Sequence, residues 1–217
     1  GKPAWKATSH EASYSSPVSG TIQGSPRVLF FTREGLVGLD PANGKVAFEH
    51  PWRARIQASV NAAMPLWIND SVFLSASYDT GAILLKLHPD HVEKLWSNDD
   101  SLSAQFASAV HHQGHLYGFH GRLDGGRPEL RCVEVKSGKV VWNRSDLGHG
   151  ATLLANGELI VLTESGEMLV GPASPKEFKP RARFQAVGNG ARAHPAFANG
   201  RLYARDKQSL ACLDLAP

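Results

Sequence analysis

Cysteine is nearly absent. Two in 217 residues do not make a disulfide framework. No run of about 20 apolar residues is available for a transmembrane helix; even the uncharged stretch from Ser101 to Gly121 holds four His and two Gln. No charged segment followed by an apolar one opens the chain, so no signal peptide is read here. Charge of one sign is lacking too. Lys and Arg total 23 against 20 Asp and Glu, and the net +3 is spread thinly, which leaves no nucleic-acid footprint. Nor does any stretch keep a 3.6-residue apolar period over helical length. What remains is a globular composition, 42% apolar and 20% charged. A chain of this length can bury about 70% of its unfolded surface without metal or disulfide.

Self-similarity is what the chain has in quantity. A small residue or Pro, an apolar neighbour, a tight turn and an apolar–aromatic pair recur together. The pattern reads Pro65-Leu66 to Val72-Phe73, then Ala109-Val110 to Leu116-Tyr117, then Thr152-Leu153 to Leu159-Ile160, then Pro195-Ala196 to Leu202-Tyr203. With an earlier copy at Pro17-Val18, the spacings are 48, 44, 43 and 43 residues. A second column is aromatic: Trp5, Phe48, Trp96, Trp142 and Phe184, spaced by 43, 48, 46 and 42. Two independent columns with one period define a repeat.

Each unit holds short apolar runs of strand length. In the fourth they fall near Ala151–Leu154, Glu158–Thr163, Glu167–Val170 and Ala182–Phe184. Asn156-Gly157 and Ser165-Gly166 separate them as hairpin turns would. A period of about 43 residues with four strands each predicts an all-β chain, a β-propeller of four-stranded antiparallel blades. The units run approximately 6–48, 49–96, 97–142, 143–184 and 185–217, with a closing strand over 1–6. Cys132 and Cys212 share one repeat position, so they fall in different blades and are not expected to bond.

The segment Asp40-Pro41-Ala42-Asn43-Gly44-Lys45 leading to Phe48 is echoed by Glu134-Val135-Lys136-Ser137-Gly138-Lys139 leading to Trp142. This pattern resembles the tryptophan-docking motif of pyrroloquinoline-quinone (PQQ) repeat β-propellers. These are the quinoprotein-alcohol-dehydrogenase-like proteins, which include an outer-membrane assembly scaffold. Ala12 to Val18, Gly35 to Asp40 and Ala193 to Tyr203 carry the likeness further, closest to exported bacterial PQQ-binding-like repeat proteins. The resemblance implies that Trp5, Phe48, Trp96, Trp142 and Phe184 are docking rings between blades. It also implies a periplasmic or otherwise exported location. Four full blades plus one split between the chain ends suit either a small closed ring or part of the seven or eight blades usual in the family.

Propellers usually bind on the face formed by the inter-blade loops and the second-to-third-strand loops. Those loops carry Arg33, Arg55, Arg122 and Arg192 against Glu34, Asp124 and Glu164. A slightly basic mouth is expected, suited to an acidic partner loop. Tyr14, Asn61, His149, Arg192 and His194 precede the innermost strands, and with Arg55 they are the candidate ligand- or partner-binding residues. No catalytic residue and no metal site is read. His111, His112 and His115 straddle a hairpin turn at Gly114, which scatters the rings. Gly188-Asn189-Gly190 imitates a nucleotide loop but leads into a strand, not a helix.

The expected function is a non-catalytic protein-interaction scaffold. Its partner is another protein, or the remaining blades of the same propeller; neither nucleic acid nor a transmembrane segment is expected. The alternatives are a segment of a PQQ-dependent oxidoreductase, needing PQQ with calcium, or a carbohydrate- or small-ligand-binding propeller. No cofactor is expected on the first reading.

Overall fold

The computed structural model describes residues 1–54, 56–57 and 61–214. They form strands and turns, with no helix among the described residues. Two compact units divide the chain, Gly1–Phe106 and Ala107–Pro217.

The first unit holds two antiparallel sheets of four strands. The first sheet contains β1 (Val18–Ile22), β2 (Ser25–Phe31), β3 (Gly35–Leu39) and β4 (Val46–Pro51), hydrogen-bonded in that order. The second contains β5 (Leu66–Ile68), β6 (Ser71–Ala76), β7 (Gly81–Leu87) and β8 (Val92–Asn98). Their facing sides form one core around Leu29, Phe31, Leu36, Leu74, Ile83 and Leu85, each nearly or fully buried. Removing such a side chain from water is worth about 1.5–3 kcal/mol.

The second unit repeats the design. Its third sheet is β9 (Val110–His112), β10 (His115–Arg122), β11 (Gly125–Glu134) and β12 (Val140–Arg144). The fourth is β13 (Gly150–Ala155), β14 (Glu158–Thr163), β15 (Glu167–Pro172) and β16 (Ala182–Gln185). These four strands coincide with the sequence reading of that unit to within two residues. The fifth sheet has three strands, β17 (Ala196–Ala198), β18 (Arg201–Arg205) and β19 (Leu210–Asp214). Ile160, Leu162, Met168, Leu202 and Ala204 make the core between the fourth and fifth sheets.

Turn chemistry sets the strand breaks. The first hairpin of four sheets turns through two positive-φ residues: Gln23-Gly24, Gln113-Gly114, Asn156-Gly157 and Asn199-Gly200. That conformation matches the right-handed strand twist and suits Asn-Gly. The other recurrent turn joins the third and fourth strands. The Gly44 amide donates to the Asp40 carbonyl at 2.8 Å, and the Gly138 amide to the Glu134 carbonyl at 2.9 Å. Asp40 also accepts the Ala42 amide through Oδ1 at 2.8 Å.

A β-bulge follows that turn in three sheets. Gly38 pairs with Phe48, Leu84 with Trp96 and Cys132 with Trp142, and the register slips at the next pair each time. Ala47, Leu95 and Val141 are the extra residues, each directly before a ring. The fourth sheet has the equivalent pair Met168–Phe184 without a slip.

The expected closing strand over residues 1–6 is not formed. Pro3 supplies no amide for a ladder, and Trp5 is engaged elsewhere. Its Nε1 donates to the Pro41 carbonyl at 3.0 Å, and its ring covers Gly44. Gly44 has a φ of 73°, and a Cβ there would lie 2.5 Å from the indole.

Two glycine substitutions separate strain from crowding. Gly24 also has positive φ, 81°, but nothing lies within 4 Å of its Cβ position. Gly24→Ala should cost about 1 kcal/mol from backbone strain alone. Gly44→Ala should cost about 2–4 kcal/mol, because the indole must also move. Urea denaturation of the two variants measures the gap.

Candidate functional site

The second-to-third-strand turns carry backbone groups that need partners, and the linkers between sheets supply them. Asn61, only 2% exposed, donates from Nδ2 to the Thr32 carbonyl at 2.8 Å and to the Trp52 carbonyl at 3.0 Å. Its own carbonyl accepts the Tyr14 amide at 3.2 Å. Asn61 therefore fastens the turn of the first sheet to the chain before and after it. In the second sheet the direction is reversed: Ser75 of β6 donates to the linker carbonyl of Leu102 at 2.6 Å and accepts the linker amide of Ala104 at 2.8 Å.

The second unit uses different side chains for the same purpose. His149 donates from Nε2 to the Arg122 carbonyl at 2.8 Å. Arg192 donates from Nε to Glu164 Oε1 at 2.8 Å, while the Gly190 and Ala191 amides donate to the Glu164 carbonyl. His194 Nε2 accepts the Ser108 amide at 3.2 Å in a part-buried contact. In the fifth sheet Asp206 accepts the amides of Gly188, Gln208 and Ser209 at 2.6–2.7 Å and the Ser209 hydroxyl at 3.0 Å. Backbone amide donation, from Gln208 first, holds its carboxyl at about 2.

Most residues expected to meet a partner thus hold the loops together. Asn61, His149 and Arg192 bind protein groups, and Asn61 is buried. Tyr14 is tied only through its backbone, and its ring is 80% exposed. Arg55 lies outside the described residues. Three arginines of the expected basic mouth are neutralised locally: Arg33 pairs with Glu11 at 3.0 Å, Arg122 with Asp124 at 2.6 Å and Arg192 with Glu164 at 2.7 Å.

Sequence reading counted Glu164 and Asp206 only as charges on the loops and passed over Ser75. Asp206 had a local signal, because an Asp followed by polar residues in a turn favours Asx geometry. Ser75 had none, being one Ser in an apolar strand.

The rings occupy repeated surroundings. Trp96 meets Phe73 with centroids 6.0 Å apart and planes at 49°; Trp142 meets Tyr117 at 6.0 Å and 46°. Trp142 donates from Nε1 to the Ser174 carbonyl at 3.0 Å, in the turn that leads to β16. Phe48 covers Gly38, where a Cβ would lie 2.3 Å from the ring. Phe184 packs beside the core of the fourth and fifth sheets. Burial raises the pKa of Tyr117 and pushes the Cys132 thiol up to about 11, so that thiol stays protonated.

Among the described residues no group of three His, Cys, Asp or Glu is arranged to hold a metal ion. His112 and His115 are a cross-strand pair, while His111 Nε2 accepts the Gly114 amide at 3.1 Å.

The family model described as outer membrane protein assembly factor BamB matches residues 1–144. No curated protein matches the chain. Among solved structures, BamB from Moraxella catarrhalis superposes with a TM-score of 0.57, covering 96% of this chain and 74% of its own at 16% identity. The computationally designed Ika8 protein gives 0.60, with 91% and 57% coverage at 10% identity. A chain of the nidogen/laminin complex gives 0.57, with 87% and 72% coverage at 14% identity. At these identities the likeness shows the fold: an all-β propeller class in which the sheets are blades.

Two measurements test the belt of hydrogen bonds. Asn61→Ala removes the donor from two part-buried carbonyls and should cost about 1–3 kcal/mol in urea denaturation. Acid should act through histidine. Burial lowers the pKa of His50, with help from Lys94, and of His111, with help from His112 and His115; burial alone lowers that of His194. As pH falls below the ordinary value of 6.5, the unfolded chain takes up these protons first. Stability that is full above that pH is then lost progressively. Thermal melts from pH 7.5 to 5.0 should show a falling Tm, less steeply in His111→Gln.

Proposed function

The chain belongs to the PQQ-repeat family described as outer membrane protein assembly factor BamB, and on that premise we propose that it is a non-catalytic propeller scaffold that binds a partner protein through its loops. The observation that carries this reading is how the loop side chains are used. Arg192 and Asn61 are spent on fixing the loops, which stiffens the surface without building a reactive centre. The Tyr14 ring is left outward on a backbone that is tied down. A rigid aromatic on an ordered loop is the kind of group that anchors protein interfaces. Two likenesses support a scaffold role: one relative is an assembly factor, and another solved chain comes from a protein–protein complex. The same kinship supports a periplasmic or otherwise exported location. The rings Trp5 and Trp142, each giving its indole N–H to a turn carbonyl, serve as docking plugs between neighbouring blades.

A photo-crosslinkable residue at position 14, with the chain exported in a bacterial host, should give discrete protein adducts. Tyr14→Ala should weaken the captured partner roughly tenfold or more. The purified chain mixed with PQQ and calcium should neither hold the quinone nor reduce a dye. Absence of adducts, or dye reduction, would overturn the reading.

A further inference from the structure

The turn after β2 gathers a further group of side chains at one end of the first sheet. Gly35 makes this possible. It pairs with Pro51 of β4, and a Cβ at its position would collide with the His50 carbonyl. The Trp52 amide donates to the Glu34 carbonyl at 3.0 Å, which keeps Glu34 beside the end of β4. The segment before β1 closes the third side. There the Arg33 amide donates to the Glu11 carbonyl at 3.3 Å, and the Ser13 hydroxyl donates to the Phe31 carbonyl. A cavity of about 120 Å3 is left between these pieces of chain, lined by His10, Glu34, Leu36, Glu49, His50 and Pro51. It has room for more than a single water or metal ion.

The polar groups of this cavity are of one kind. The Thr32 hydroxyl donates to the Gly35 carbonyl at 3.1 Å, so the 3.1 Å contact between that hydroxyl oxygen and His10 Nδ1 takes its hydrogen from the ring. A neutral His10 then presents Nε2 as an acceptor, and Nε2 lies 3.8 Å from a second acceptor, Glu49 Oε1. Glu34 Oε2 is a third. It is shielded from solvent and has no hydrogen-bond partner among the described residues. Arg33, its neighbour in the chain, is turned to Glu11 and to the Gln57 carbonyl. Burial, with help from the exposed Lys94, lowers the pKa of His50, so that wall carries no positive charge at neutral pH. Two carboxylates and an imidazole lone pair thus converge, and a carboxylate oxygen left buried without a donor is costly.

From this we infer that the cavity is a receptor for a guanidinium group. Guanidinium carries five N–H donors in one rigid plane and no acceptor, so it can answer several acceptors at once. It is weakly hydrated, and the apolar wall of Leu36 and Pro51 suits its faces and its aliphatic stem better than it suits a strongly hydrated ammonium. A metal ion is a poorer match, because no group of three ligands is arranged for one among the described residues.

Calorimetric titration at pH 8 tests this with two probes, ethylguanidinium chloride and a Gly-Arg-Gly peptide blocked at both ends. Binding should saturate at one site per chain. The ring signals of His10 and His50 in nitrogen–proton NMR spectra should move, while those of His111, His112 and His115 stay in place. Tighter binding of the peptide assigns the site to a protein side chain, and tighter binding of ethylguanidinium to a free small cation; both support a guanidinium receptor. Glu34→Gln and Glu49→Gln should each weaken binding tenfold or more, whereas Glu177→Gln should leave it unchanged. Free Glu34→Gln should be at least as stable to urea as the parent chain, because it removes a buried charge that has no partner. A clear loss of stability would mean that the carboxylate is already paired within the chain, and it overturns the inference. Absence of saturable binding, undiminished binding to Glu34→Gln, or equal binding of a Gly-Lys-Gly peptide overturns it too. Movement of the His10 and His50 signals with zinc chloride but not with ethylguanidinium would assign the cavity to a metal and likewise overturn it. Adducts at position 14 report on the scaffold reading separately, so either result can fail without the other.

Discussion

Buried peptide groups at the inner turns are the constraint on which the rest of this protein depends. Each turn between a second and a third strand exposes carbonyls and amides that no sheet ladder reaches, and a buried group left without a partner is costly. The chain answers from the linkers. Asn61 serves the first sheet, His149 the third and Arg192 with Glu164 the fourth, while in the second Ser75 of β6 reaches out to the linker backbone. The chemistry differs at each place, being amide, hydroxyl, imidazole and ion pair. What recurs is the need and not the residue. That explains why polar side chains gather on the loops.

The fold was legible because its signals are local and repeated. Asn156-Gly157 and its counterparts carry the positive φ of a tight hairpin in two residues, so strand boundaries follow from turn chemistry. The ring column marks the strand that ends each sheet, although its spacing drifts between 42 and 48 residues. The bulges were not legible. Ala47, Leu95 and Val141 look like ordinary strand residues, and only pairing across the sheet reveals them as extra. The strand expected over residues 1–6 failed for a related reason. A Trp at the right spacing signals where a ring goes, not whether the backbone around it joins a ladder.

The site was read less well than the fold. Position within the repeat drew attention to Asn61, His149 and Arg192, but position says nothing of what a side chain meets. An Arg near a loop tip reads as free charge in one dimension. In three dimensions Arg33, Arg122 and Arg192 each have a carboxylate close by, and the basic surface is cancelled pair by pair. Such exposed pairs add little stability.

The bulges have a consequence beyond setting ring positions. The fourth strand of a sheet is an edge, with one row of peptide groups facing outward, and regular edges invite stacking between molecules. An extra residue at Ala47, Leu95 or Val141 breaks the spacing of that row, so a flat foreign strand cannot run along it in register. The fourth sheet lacks the irregularity and instead places Arg181 and Arg183 at its border. The single-residue insertion that sets each aromatic in place therefore also interrupts the regular row of peptide groups along three of the fourth strands.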